Sequence, residues 1–135
     1  MSIFENCKNT KAKGTYGLGD AIRYFVSIGN VISLPLNDSQ DYDLIVDDGN
    51  SLLKVQVKTT DQCKKYNENI FSVNLRVLGG NSKENFVHKK GDEIVYDLLF
   101  VLCGNGDRYL IPKNEIKNNK STVMVGGKKT NRFKI

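Results

Sequence analysis

The sequence predicts a mixed α/β (α+β) domain: one helix near the N-terminus, then strands gathered into a single mixed sheet around a central hairpin. Three observations predict it. One stretch carries a helical apolar stripe, several later stretches alternate apolar and polar residues, and clusters of Asp, Asn and Gly mark two hairpins. The 135 residues are the size of one ordinary domain, so residues 1–135 are expected to form a single unit. With 39% apolar and 26% charged residues, the chain can bury one modest core and stay in solution.

Over residues 16–28, Leu18, Ala21, Ile22, Phe25 and Val26 recur at the spacing of one helix face, and Gly29 is a natural stop. Asp20 falls roughly opposite that stripe. Residues 31–35 are short and β-rich, and residues 37–40 are turn chemistry. A strand over 42–46 leads through Asp47-Asp48-Gly49-Asn50, a strong hairpin signal, into a strand over 52–58. In that strand Leu53, Val55 and Val57 share one face, and Lys54, Gln56 and Lys58 share the other. Residues 71–77 alternate again. Residues 79–91 turn polar, which predicts a loop of about a dozen residues. Residues 97–103 have the composition of a buried strand, Gly104-Asn105-Gly106-Asp107 turns the chain, and 108–111 return as a second hairpin. One helical turn over 113–116, a short strand over 122–125 and a basic tail complete the order. Tyr96 and Phe100 are expected in the core.

Cys7, Cys63 and Cys103 are too scattered for a disulfide framework, and with His88 as the single histidine they make a poor zinc set. His88 is expected in a solvated loop. No apolar run approaches the roughly 20 residues that cross a bilayer. Met1 to Glu5 carry no basic leader, so a cytoplasmic chain with no membrane partner is expected. The formal charge is +5, compatible with a polyanion partner. Lysines cluster at Lys8, Lys11 and Lys13 before the expected helix, at Lys64-Lys65, at Lys89-Lys90 and through Lys128, Lys129, Arg132 and Lys134. Each cluster also suits a plain solvated face.

The stretch with chemical content is Asp43, twelve residues, then Gln56-Val57-Lys58. A hairpin centred on Asp48-Gly49 sets Asp43 opposite about residue 54, and a strand rises about 3.3 Å per residue. Asp43, Gln56 and Lys58 are thus expected within one ion's reach. A hard divalent cation takes oxygen ligands, which the Asp43 carboxylate, the Gln56 side-chain carbonyl and the Val57 backbone carbonyl can supply. Such an ion acidifies water and polarises a phosphoryl oxygen, while Lys58 orients the water or stabilises developing charge. That is the chemistry of phosphodiester hydrolysis. From spacing alone, an ordinary Lys-x-Gln-x-Lys strand face is the more common reading.

Tyr42-Asp43-Leu44-Ile45-Val46 followed by Val55-Gln56-Val57-Lys58-Thr59-Thr60 resembles the core of the PD-(D/E)XK nucleases. It looks most like their small intron-associated homing endonucleases, in which the second acidic position can be Gln. The resemblance also takes in Lys13-Gly14, Leu34-Pro35, Asn74-Leu75-Arg76 with Gly79-Gly80-Asn81, Tyr109-Leu110-Ile111-Pro112 and the basic C-terminus. It implies a restriction-endonuclease-like core, with an N-terminal helix followed by a mixed central sheet carrying the catalytic hairpin. It implies catalytic roles for Asp43, Gln56 and Lys58, a metal held by Asp43, Gln56 and Val57, and Mg2+ as the ion, with Mn2+ able to substitute. The expected partner is double-stranded DNA, branched DNA included. Lys11, Lys13, Asn74, Arg76 and Asn81 are the expected DNA contacts.

Three departures matter. Tyr42 replaces the Pro of the family name. Gln56 removes a negative charge, favouring a single metal. Leu18 stands where many relatives carry a helix Glu, and neither Glu5 nor Asp20 is assigned in its place. Cutting both strands needs two sites, so a homodimer or homotetramer is expected. The leading expectation is a homing-type or mobile-element endonuclease. The alternatives are a Holliday-junction resolvase, a catalytically silent DNA-binding module and a protein-interaction domain.

Overall fold

The computed structural model describes residues 1–76, 78–79, 87–88 and 93–135, with backbone alone at 78–79 and 87–88. Helix α1 (Thr10–Ser27) begins well before residue 16, because Asn9 caps it by accepting the Ala12 N–H at 2.9 Å. Lys11 and Lys13 therefore lie on the helix, not ahead of it. Its buried face is Gly17, Ala21 and Phe25, rotated from the expected stripe so that Val26 is exposed. Gly17 explains the rotation. A Cβ there would sit 2.4 Å from the Thr59 side chain, so the helix backbone rests directly on the sheet.

Among the described residues ten strands follow: β1 (Val31–Ser33), β2 (Leu44–Asp47), β3 (Leu52–Thr60), β4 (Cys63–Lys64), β5 (Asn67–Asn74), β6 (Leu78–Gly79), β7 (Val87–His88), β8 (Leu98–Cys103), β9 (Arg108–Pro112) and β10 (Thr122–Val125). They do not make one sheet. The five-stranded sheet runs β1-β2-β3-β8-β9, a second runs β10-β5-β4, and β6 pairs with β7. The β3–β8 pairing is parallel, and its neighbours in that sheet are antiparallel. This is the mixed sheet with an N-terminal helix of a restriction-endonuclease-like fold. The strand expected over 71–77 instead starts at Asn67, ends at Asn74 and belongs to the second sheet. The expected loop over 79–91 contains β7, so His88 lies in a paired strand and not in a loop. The turn after β9 is a 3-10 turn, Lys113–Glu115.

Two apolar layers flank the central sheet. On one side Ala21 and Phe25 of α1 join Phe4, Leu44, Val46, Val55, Phe100 and Leu102. On the other, Leu99, Val101, Tyr109 and Ile111 meet Phe71, Val73 and Val125 of the second sheet, with Tyr96 beside them. Strand β8 is sealed on both faces, as a strand parallel-paired in the middle of a sheet should be. Both Tyr96 and Phe100 are buried, as expected. Truncating a ring such as Phe100 to Ala would cost about 3–5 kcal/mol.

The β2–β3 turn sets the register that matters here. Gly49 takes φ +89°, the Asp47 carboxylate accepts its N–H at 2.9 Å, and Asp48 accepts the N–H groups of Asn50 and Ser51 at 2.8 Å each. Leu44 then pairs with Val55. One step further along that register Asp43 stands beside Gln56, not beside residue 54.

Candidate active site

Because Val55 and Val57 pack toward α1, alternation turns Gln56, Lys58 and Thr60 to the other face, toward the second sheet. Thr60 fixes the direction by donating its hydroxyl to the Ser72 carbonyl at 2.6 Å. Asp43 precedes β2, and its N–H donates to the Val55 carbonyl at 2.8 Å. Its Oδ2 accepts the Val57 N–H at 2.7 Å and the Gln56 Nε2 at 2.7 Å. The same Nε2 lies 3.2 Å from the Val57 carbonyl oxygen. Asp43, Gln56 and Val57 thus converge, in a register two positions from the one the hairpin spacing predicts.

Lys58 approaches from one side. Its Nζ donates to the Arg76 carbonyl at 2.9 Å, so the ammonium is held at the rim instead of being bonded to the carboxylate. Burial pushes the Asp43 carboxyl above its ordinary range, against the Val57 amide and the charge of Lys58. Burial pushes the Lys58 ammonium below its ordinary range, and Asp43 opposes that shift. Both groups are desolvated without a direct ion pair.

The donor set fits a hard cation. Among the described residues no three His, Cys, Asp or Glu side chains gather as a metal cluster, so any ion here would draw on amide and main-chain oxygens beside the Asp43 carboxylate. The amide nitrogen of Gln56, with its partial positive charge, occupies the point where the Asp43 carboxylate and the Val57 carbonyl meet. Turning the amide by half a rotation presents Oε1 there instead, giving carboxylate, amide and main-chain oxygens to one ion.

The remaining expected contacts divide. Asn74 is exposed, and its Oδ1 accepts the Arg76 N–H at 2.9 Å, leaving the amide NH2 as donor. Arg76 is exposed beside it, with its backbone carbonyl on Lys58. Lys13 is committed elsewhere, bound to Asp61 at 2.6 Å, and Lys11 is exposed on the first turn of α1. Both helix residues sit in the layer across the sheet from Gln56 and Lys58. Asn81, Lys89 and Lys90 lie outside the described residues.

Whether Asp20 supplies a further acid has a geometric answer. Its carboxylate binds Arg108 at 2.5 and 2.8 Å and Arg23 at 3.1 Å. Burial works to raise its pKa, yet the two guanidinium groups outweigh it and hold the carboxyl below the usual range. Leu18 packs in the helix-side core, and the first turn of α1 carries no acid.

Two further residues gain a role only in the fold. Asp41 is only 4% exposed, and its Oδ2 accepts the Val95 N–H at 2.9 Å. Asp97 accepts the Lys54 N–H at 2.8 Å and returns its own N–H to the Lys54 carbonyl at 2.8 Å. These bonds brace the chain on either side of Asp43 and Gln56. The repeat Asp41-Tyr42-Asp43 at the entry to β2 is the sequence signal that could have found the first.

A family model of the PD-(D/E)XK endonucleases matches residues 8–134. The chain belongs to that family. Among solved structures, this PD-(D/E)XK chain is similar to the bacterial homing endonuclease I-Ssp6803I, with 20% identity and a TM-score of 0.69, over 93% of this chain and 86% of that one. It is also similar to Hjc, the Holliday junction resolvase of the archaeal hyperthermophile Archaeoglobus fulgidus, with 11% identity and a TM-score of 0.57, over 91% of this chain and 90% of that one. At those identities the likeness shows a shared fold alone. No curated protein matches. No described helix of this PD-(D/E)XK chain is long and apolar enough to cross a membrane.

Proposed function

We propose that this PD-(D/E)XK endonuclease hydrolyses DNA phosphodiester bonds with a divalent cation held by Asp43, Gln56 and the Val57 carbonyl. The observation that carries the reading is the Gln56 amide nitrogen seated between the Asp43 carboxylate and the Val57 carbonyl, where a cation would satisfy both oxygens better. The preferred ion is Mg2+, with Mn2+ as substitute, because all three donors are oxygens. When bound, the ion supplies a polarised phosphoryl oxygen and an acidified water. The chain's own residues do the rest. Asp43 fixes the Val57 backbone through its N–H, so the carbonyl of the same residue is aimed by the carboxylate that shares its task. Lys58, held at the rim by Arg76, presents its charge to the phosphate, where it steadies the charge that grows in the transition state. A single carboxylate with a neutral Gln favours one ion per site.

Asn74 and Arg76 are next to this rim and, among the described residues, are the nearest of the expected DNA contacts. One chain holds one such site, so cutting both strands calls for a homodimer or homotetramer. The fold shared with a bacterial homing endonuclease supports a homing-type or mobile-element role. The fold shared with a junction resolvase supports a second reading, cleavage of branched DNA, and competition between linear duplex and four-way junction separates the two.

The test is cleavage of a complex DNA pool in Mg2+ by wild type and Lys58→Ala side by side. Cutting by wild type alone is expected. Cutting by both would move the active site elsewhere. Binding without cutting by either would make the chain a silent DNA-binding module.

A further inference from the structure

The second sheet carries a surface that the catalytic reading does not use. Its core-facing residues are Phe71, Val73 and Val125, so alternation turns Ile70, Ser72 and Asn74 of β5, and Thr122 and Met124 of β10, to the outside. The register aligns them, with Met124 beside Ser72 and Thr122 beside Asn74. Over this outer face lies an open groove of about 570 Å³, floored in part by Ile70, Thr122 and Met124. Its rim carries Lys64, Lys117, Lys120, Lys128 and Lys129, all exposed. The carboxylate on the rim, Glu115, is bound by Arg132 at 2.9 Å. Five cations and a neutralised acid around a flat polar and apolar floor make a strongly positive trough.

A short relay of backbone and side-chain contacts links the edge of the groove to the candidate site. Thr122 pairs with Asn74, the Asn74 side chain holds the Arg76 backbone, and the Arg76 carbonyl holds Lys58. Lys120 lies at that near end, where the Ser121 carbonyl accepts the Leu75 N–H. Val125 ends the strand about 10 Å from Thr122, and Lys128 and Lys129 follow at the far end, beyond Gly126 and Gly127.

We infer that this groove is the docking surface for the sugar-phosphate backbone of duplex DNA, a few nucleotides from the phosphate presented to Lys58. The inference rests on the endonuclease reading and adds where the substrate lies. The lysines supply affinity that is independent of sequence, while Asn74 and Arg76, between groove and site, are placed to contact the stretch being cut.

The experiment compares the intact chain with a variant carrying Lys117→Gln, Lys120→Gln, Lys128→Gln and Lys129→Gln, and with the matching four-fold Lys→Arg variant. Each is titrated with a short fluorescent DNA duplex over a series of KCl concentrations, without divalent ions. The Gln variant is expected to bind at least roughly tenfold more weakly at low salt. Its slope of log affinity against log salt should shrink by about 0.9 for each phosphate that the variant no longer neutralises. The Arg variant keeps the wild-type slope, which also shows that the surface tolerates four substitutions. Wild-type affinity and slope in the Gln variant overturn the inference, as does an equal loss in both variants. Wild type that binds DNA, and cuts it once Mg2+ is added, while the Gln variant binds equally well sinks only the groove. Wild type that does not bind, and does not cut after Mg2+ is added, sinks the endonuclease reading itself.

Discussion

Asp20 and Asp43 are both partly buried acids next to a basic residue, yet they have opposite electrostatic fates. Asp20 is completed: two guanidinium groups bind it directly, its pKa is lowered, and Arg108 ties α1 to β9. Asp43 is left incomplete. Neutral N–H donors from Val57 and Gln56 bond it, its pKa is raised by burial, and the nearby Lys58 ammonium is tethered to the Arg76 carbonyl. A finished ion pair stabilises a fold and has no further use for a cation. A buried carboxylate bonded only to neutral donors is the group that gains most when a divalent ion arrives. This difference, more than exposure or position in the chain, separates the structural acid from the proposed metal ligand.

The largest expected consequence concerns cleavage. Asp43→Asn keeps an acceptor for the Val57 N–H but removes the charge, and should lower DNA cleavage by about 100-fold or more in single-turnover assays. Next is stability in the presence of metal. At Mg2+ about 100 times its dissociation constant, wild type should gain about 2.7 kcal/mol, seen as a rise in Tm. Asp20→Asn should show the same rise and Asp43→Asn almost none. A Mg2+ response that survives Asp43→Asn would break the comparison.

Smaller is the pH dependence of Asp20. Its folded pKa lies below the ordinary carboxylate value, so its ion pairs contribute stability above that value, and the contribution is lost as pH falls through the folded pKa. Asp20→Asn should therefore lower Tm at neutral pH, and the gap to wild type should close in strong acid. Thermal melts across that range check it. The smallest effect uses a third buried group. Burial first, and Asp107 second, push the Cys103 thiol up to about 12. At mildly alkaline pH a thiol reagent should modify exposed Cys63 quickly and Cys103 only after denaturation.

Much of this contrast is legible in residues that follow one another. The alternation of Leu53, Val55 and Val57 against Gln56 and Lys58 places two site residues on one face, and Asp47-Asp48-Gly49-Asn50 brings Asp43 to them. The expected register misses by two positions because the carboxylates of Asp47 and Asp48 bond the turn's own amides, which no centring rule includes. The helix start is hidden because residues 10–15 carry no apolar side chain larger than Ala12 and include Gly14, so they show no stripe. The second sheet is illegible for another reason: β5 pairs with β10, whose residues come about fifty positions later, and such pairings leave no local period. Helical spacing alone turns Asp20 away from the core. Only the fold brings Arg108, from the far hairpin, to meet it.

The most direct test sets the two acids against each other: DNA cleavage in Mg2+ by wild type, Asp20→Asn and Asp43→Asn at equal concentration and below the melting temperature of all three. The expected result is cutting by wild type and Asp20→Asn, with Asp43→Asn inactive. Activity retained by Asp43→Asn and lost by Asp20→Asn would contradict the assignment of the site.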